Sequence, residues 1–393
     1  MSFFILLLEE VLFAVFMIWV LYLLIFSIGS KIPKYTFYPT SLQKHRYLVV
    51  FPAYREDNVI LESISTFKKQ DYPSSMYEIV VVSDQMDDAT NTALLDMDVT
   101  VLFPDYINRS KAEAMKLAAA YSMDKTFDAM VILDADNWVH ADFLTKIDRA
   151  FSTGLKSIQA HRIAKNSNTT MAYLDGISEE INNSIFRLGQ VNIGLPSALI
   201  GSGMVFDINW FNSKIHKVHS MGEDKELEYH LLEDRIFTAY LPDVYVLDEK
   251  VQHKNDFLNQ RQRWNAAQVE RFTYTFQRFI SVLQSKNWPL FVKLIQWSIP
   301  PRIVLLGAIP ITAILLLFIF PALAYKWIGL YVAYLIALLI ALPNRFYNKR
   351  SLMALFRLPA IFITILRSLI KSRTAKNTFI HTPHGEKTEN NRR

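Results

Sequence analysis

The chain has 393 residues and no cysteine, so disulfides, zinc–thiolate sites and cysteine nucleophiles are excluded. Half of it is hydrophobic (51%), and the apolar residues gather at the two ends, which sets it apart from a purely soluble enzyme. Lys and Arg exceed Asp and Glu by 42 to 37, largely through the C-terminal part, a surplus suited to anionic lipid more than to nucleic acid.

The first segment, Phe3 to Ile28, is apolar apart from Glu9, Glu10 and a few small polar residues. Val11 to Ile28 alone approaches the ~20 residues that span a bilayer. With no basic n-region and no small-residue cleavage site it reads as a retained helix and not a signal peptide. Lys31, Lys34, Lys44 and Arg46 follow it, which puts the N-terminus outside and the next domain in the cytoplasm. From Tyr47 to about Pro242 strands alternate with helices. Strands are expected at Tyr47–Phe51, Glu78–Val82 and Ala129–Leu133, helices at Asn58–Lys69 and Ala112–Tyr121. This alternation predicts an α/β domain with a mainly parallel sheet, whose ligands bind beyond the carboxyl ends of the strands. Asp256–Gln284 reads as an amphipathic interfacial helix, and Ile303–Ala324 and Trp327–Leu342 as two membrane spans. Leu352–Ile370 carries Arg357, Pro359 and Arg367, and charges cost about 2.5–3.5 kcal/mol each at a helix centre. An interfacial or re-entrant helix is expected there, followed by a basic cytoplasmic tail from Lys371. The domain plan is therefore a membrane helix (1–30), a cytoplasmic catalytic domain (31–255), interfacial helices (256–300), two spans (301–343) and an interfacial helix with a basic tail (344–393).

The sharpest chemical string is Leu133-Asp134-Ala135-Asp136-Asn137, behind an apolar strand. On an extended backbone two carboxylates two residues apart point to one side. They suit a hard divalent cation completed by diphosphate oxygens. Alone, the string also describes a solvated turn. Asp84 ends the second strand, where a carboxylate can accept a uracil N–H. Asp87 and Asp88 read as turn or helix-cap residues. Pro52-Ala53-Tyr54-Arg55-Glu56 follows the first strand: Tyr54 can pack beside a nucleobase and Glu56 can reach it, although a Pro-initiated loop explains the string as well. Asn108-Arg109-Ser110-Lys111 supplies cations at a helix start, close to where a diphosphate would lie. Gly222-Glu223-Asp224 offers a base for an acceptor hydroxyl, with Asp224 preferred and Glu223 second; a capped, charged helix is the plainer explanation. Gln260-Arg261-Gln262-Arg263-Trp264 combines guanidiniums suited to phosphate with a flat ring for a sugar.

Taken in this order, these strings resemble glycosyltransferase family 2, in particular its membrane branch of cellulose, chitin and hyaluronan synthases. The resemblance covers about Tyr47 to Trp264. It implies a GT-A nucleotide-diphospho-sugar-binding fold and Mg2+ or Mn2+. By motif position Asp84 resembles the uridine-contacting Asp, and Asp134 and Asp136 the metal and donor-phosphate pair. Lys111 resembles the family lysine and Asp224 the catalytic base. Gln260, Arg263 and Trp264 resemble the motif holding diphosphate and acceptor sugar, and Gly201-Ser202-Gly203 the small-residue loop near the acceptor. The late Phe379–His384 string is similar to tail segments near the site in some members. The chain departs from the family's Asp-Asp-Gly-Ser pattern, reading Ser83-Asp84-Gln85-Met86 instead.

The reading that follows is an inverting hexosyltransferase at the cytoplasmic face of the inner cell membrane. It would move a sugar from a UDP-sugar to a growing polysaccharide, alone or with partner subunits or further copies. Single-sugar transfer to a lipid-linked acceptor, and a catalytically silent synthase subunit, are the alternatives.

Overall fold

The computed structural model describes residues 3–34, 36–40, 43–106, 109–219, 222–252 and 277–356. The elements begin with α1 (Phe3–Gly29), β1 (Tyr47–Tyr54), α2 (Ile60–Phe67), β2 (Tyr77–Asp84), α3 (Asp88–Asp96), β3 (Thr100–Leu102) and α4 (Lys111–Ser122). Next come β4 (Ala129–Ile132), β5 (Trp138–Val139), α5 (Phe143–Phe151), β6 (Ser157–Ala164), α6 (Thr170–Asn183) and α7 (Gly189–Asn192). Then follow β7 (Met204–Asp207), α8 (Ile208–Lys214), α9 (Glu223–Glu233) and β8 (Thr238–Asp248). The last helices are α10 (Trp288–Ser298), α11 (Arg302–Ile319), α12 (Pro321–Ala341) and α13 (Lys349–Leu355). The described residues divide into two compact units, one drawn from 36–179 and 196–252, the other from 3–34, 180–195 and 277–356.

In the first unit eight strands form one sheet in the order β3-β2-β1-β4-β7-β6-β8-β5. Four of the seven described pairings are parallel, in line with a mainly parallel sheet; β7 opposes β4 and β6, and β5 opposes β8. Strand β1 shows why the sheet has two cores. Tyr47, Val49, Phe51 and Ala53 pack on one side with residues of α2 and α5, while Leu48 and Val50 pack on the other with residues of α4 and α8. That is the period-two alternation of a strand covered on both faces. Strand β1 runs on to Tyr54, past the Phe51 limit read from sequence. Pro52 is tolerated because pairing with β4 stops at Val50, so no ladder partner meets the missing N–H. Helix α4 begins at the N-cap Ser110, whose Oγ accepts the Glu113 N–H at 3.2 Å.

In the second unit α1, α11 and α12 are each long and apolar enough to cross a membrane. Helices α1 and α12 run parallel. At one end Lys326 Nζ donates to Glu9 and Glu10 at 2.8 and 2.6 Å, and Trp327 Nε1 donates to Glu9 at 2.6 Å. At the other end Lys31 Nζ donates to the Leu342 carbonyl at 3.4 Å. Helix α11 is antiparallel to α12, and Tyr334 Oη donates to the Arg302 carbonyl at 2.7 Å. The break between them falls at Phe320, earlier than the sequence reading placed it. Pro321 lacks an N–H to continue α11 and instead occupies the first position of α12. Of the interfacial helix expected at 256–284 only 277–284 is described, and of Leu352–Ile370 only the first residues. The remainder and the tail lie outside the described residues.

Candidate active site

Parallel register gathers the first acids at one edge of the sheet. Tyr54 pairs with Asp84 at the ends of β1 and β2, and Val50 pairs with Ile132, so Asp134 leaves β4 on the same side. The antiparallel strand β7 starts there too, because Ile132 pairs with Met204. This brings Gly201-Ser202-Gly203 beside the Asp134 turn.

Asp84 is buried and engaged. Arg109 Nε donates to its Oδ1 at 3.0 Å, and the Tyr106 hydroxyl hydrogen-bonds to it. Burial and then the Asp84 charge push the Tyr106 phenol above its ordinary range. The sequence reading sent Arg109 towards a diphosphate and passed over Tyr106. Arg55 and Gln85, just past the ends of β1 and β2, both adopt left-handed backbone, with φ of 55° and 56°. The Arg55 guanidinium lies 5.3 Å from the Tyr54 ring centre. In the string 52–56 the Ala53 side chain belongs to the core, Pro52 lies within β1, Tyr54 ends it, and Arg55 and Glu56 follow.

Asp134 and Asp136 sit in a turn closed by Asn137 N–H to the Asp134 carbonyl at 3.0 Å. The extended backbone assumed from the sequence is not what holds them. Lys111 Nζ contacts Asp134 Oδ1, donates to the Gly201 carbonyl at 2.7 Å and lies 3.9 Å from Glu223. Burial lowers the Lys111 pKa, but Asp134, Glu223 and Asp224 outweigh it and hold the ammonium above its ordinary value. Asp136 is buried. Its Oδ2 accepts the Glu249 N–H at 2.8 Å and its Oδ1 accepts Asn137 Nδ2 at 3.2 Å.

Glu223 and Asp224 open α9. Burial raises the Glu223 carboxyl to about 7; Lys111 opposes the rise and Asp224 adds to it. Asp224 pairs with Lys225 at 3.2 Å. Gly201 and Gly203 have φ of 86° and 64°, conformations that glycine adopts without strain. A side chain at Gly203 would also come within 2.9 Å of Val246. Ser202 Oγ donates to Asn137 and accepts the Asp134 N–H at 3.2 Å, so this loop supports the acid turn. Gln260, Arg263 and Trp264 lie outside the described residues.

Sequence reading also missed a set of charges behind the turn. Arg162 Nε donates to Glu179 at 2.8 Å, Lys250 Nζ contacts Glu179 and donates to Asp248 at 2.8 Å, and Arg162 lies 3.8 Å from Asp248. Burial works against both cations, but Asp248 and Glu179 hold them above their ordinary values. Burial raises Glu179, and Arg162 and Lys250 more than reverse it. The available signal was Asp248-Glu249-Lys250 at a strand end, a position like that of Asp84.

Among the described residues no group of three or more Asp, Glu and His side chains gathers to hold a metal. Asp134 and Asp136 are nevertheless hard oxygen donors of the kind Mg2+ and Mn2+ take. The Lys111 ammonium, against Asp134 and the Gly201 carbonyl, shows that a positive charge fits there. Asp134 and Asp136 together would suit a divalent ion.

A family profile described as Glycosyl transferase family group 2 matches residues 129–341, more than half of the chain. The chain belongs to this family. A second profile, Glycosyl transferase family 2, matches residues 48–206 of the same glycosyltransferase. Comparison with curated proteins finds no match. Among solved structures, the mannosyltransferase PcManGT from Pyrobaculum calidifontis, in complex with GDP-Man and Mn2+, is 16% identical. It superposes with a TM-score of 0.57 over 93% of this chain and 97% of that one. TarS 1-349 from S. aureus in complex with UDP-GlcNAc is 12% identical, with a TM-score of 0.43 over 86% of this chain and 95% of that one. Glucosyl-3-phosphoglycerate synthase from Mycobacterium tuberculosis is 15% identical, with a TM-score of 0.40 over 56% of this chain and 78% of that one. The likeness to PcManGT identifies the fold of this family 2 glycosyltransferase as GT-A. Its substrates are nucleotide sugars.

Proposed function

We propose that this glycosyltransferase moves a hexose from a nucleoside diphosphate sugar to an acceptor hydroxyl at a membrane surface, with inversion. The observation that carries the reading is the meeting of Lys111 with Asp134, the Gly201 carbonyl and Glu223, next to Asp224. Four segments far apart in sequence thereby converge on one charged cluster at the strand ends.

Asp84 orients the base of the donor, with Tyr54 and Glu56 beside it. Asp134 and Asp136 would hold Mg2+ or Mn2+, which when bound offsets the charge that builds on the departing diphosphate. Lys111, and by sequence Arg263, add positive charge towards the same leaving group. Asp224 takes the proton from the acceptor hydroxyl, whose oxygen attacks the anomeric carbon from the face opposite the leaving nucleotide. Glu223, largely protonated below about 7, keeps a second negative charge away from Asp224. Gly201, Ser202 and Gly203 would border the acceptor, with Gln260 and Trp264 by sequence. UDP is the expected nucleotide. A donor panel should include GDP-sugars, because PcManGT was solved with GDP-Man.

A growing polysaccharide is the acceptor read from the Gln-Arg-Gln-Arg-Trp string. Single transfer to a lipid-linked acceptor is the second reading, favoured by the three spanning-length helices among the described residues. Product length from a membrane assay separates the two. For the chemistry, Asp224→Asn is expected to lower turnover at least 100-fold while UDP and Mn2+ still bind. Near-normal turnover in that variant would remove Asp224 as the base.

A further inference from the structure

Asn137 is the junction of the acid turn. Its Oδ1 faces two donors, the Asp134 N–H at 3.0 Å and the Ser202 hydroxyl. Its Nδ2 faces two carboxylates, Asp136 Oδ1 at 3.2 Å and Asp248 Oδ1 at 3.3 Å. Only one orientation of the amide satisfies all four neighbours, so the hydrogen-bond pattern fixes it. Asp248 in turn belongs to a ring of two anions and two cations: Asp248, Lys250, Glu179 and Arg162. Strand pairing builds this ring into the sheet. Asp248 ends β8 opposite Ala164 of β6, and its neighbour Leu247 faces Trp138 of β5, just after Asn137. The next residue, Glu249, donates its N–H to Asp136.

The ring is formally neutral, but it reaches the turn directly, with Arg162 Nη1 4.0 Å from Asp134 Oδ2. Stability alone is a weak reason to keep it, since apolar side chains often replace buried ion pairs with no loss. The ring holds a second group against the turn as well: the Asp248 carboxylate, facing Asn137 Nδ2 at 3.3 Å. We propose that Asp248, held by Arg162 and Lys250, is a positioning residue that sets the divalent-cation affinity of the Asp134–Asp136 turn by orienting Asn137 and Asp136. The proposal deepens the functional reading above and rests on its assignment of the cation to Asp134 and Asp136. Outer partners of metal-holding carboxylates have this effect generally, and their loss weakens metal binding about 10–100-fold.

The test uses the full-length protein in detergent, with Mn2+ as probe and UDP present, and reads free Mn2+ by electron paramagnetic resonance. Asp136→Asn serves as the control for the site itself. The wild type should bind Mn2+, and Asp248→Asn should bind it at least tenfold more weakly. Activity lost by Asp248→Asn at low Mn2+ should return as Mn2+ is raised, with the donor KM little changed. Wild-type Mn2+ affinity in Asp248→Asn, or a turnover loss that excess Mn2+ does not relieve, would overturn the positioning role and leave the metal reading standing. No Mn2+ binding by the wild type, or undiminished binding by Asp136→Asn, would instead sink the metal reading beneath it. If Asp248→Asn does not fold, Asp248→Glu decides, because it keeps the four charges and the turn's own bonds and moves only the carboxylate facing Asn137: weakened Mn2+ binding supports the proposal and unchanged binding defeats it.

Discussion

At the scale of single residues the site combines groups in unusual states, and Glu223 is the clearest. Its carboxyl is raised to about 7, first by burial and then by Asp224, against the pull of Lys111. Between its unfolded value near 4.5 and about 7 the folded protein keeps a proton that the unfolded chain gives up. Folding stability therefore falls with rising pH through that window and levels off above it. Glu223→Gln removes the dependence. In metal-free protein the wild type should lose stability relative to Glu223→Gln by about 2–3 kcal/mol between pH 5 and 8, read from melting temperatures. A constant difference across that range would refute the assignment. Gln85 teaches a second lesson at this scale. The family pattern carries glycine where this chain has Gln85, and the backbone there keeps the left-handed φ of 56° that explains the glycine. Gln85 therefore carries a side chain in a backbone conformation that glycine adopts at lower cost.

Whole elements were legible where one periodicity governed them. Apolar runs marked β1, β2 and β4, and the acids after them fall at one edge of the sheet. Contacts between distant segments were not legible. Asp248 lies more than a hundred residues from Asn137, and only the β5–β8 pairing brings them together. The turn at Asp134–Asn137 was hidden for a related reason: its shape depends on Ser202, which β7 delivers. In the helical unit the unread feature is a close crossing. A methyl group on Gly189 would lie 2.0 Å from the Phe26 carbonyl oxygen of α1, a backbone atom with no rotamer to escape into. Gly189→Ala should therefore destabilise the protein by about 1–3 kcal/mol, lowering the melting temperature in detergent. Gly329→Ala on α12, where no described atom beyond its chain neighbours and the helix's own backbone lies within 4 Å of the added carbon, should change it little. Equal effects from the two substitutions would rule out the close crossing.

For the whole molecule the open question is which way the chain threads the membrane. The parallel pairing of α1 with α12 puts Glu9 and Lys326 at one end of the helical unit, and Lys31 with the Leu342 carbonyl at the other. The turn between α11 and α12 then shares a side with the N-terminus, and the residues after α12 share a side with those after α1. The basic residues Lys31 and Lys34 lie beyond the C-terminal end of α1, and Arg345, Lys349 and Arg350 beyond that of α12. Both clusters fall on the same side, which the positive-inside tendency would make the cytoplasm. Helix direction puts the two basic clusters together, and their charge then predicts an outside N-terminus. Because the chain has no cysteine of its own, single introduced cysteines report on this directly. Phe320→Cys, between α11 and α12, should react with a membrane-impermeant maleimide in intact cells. Lys34→Cys should react only after the membrane is opened. The reverse pattern would invert the topology and place the nucleotide-sugar site on the side of the membrane opposite to the cytoplasm.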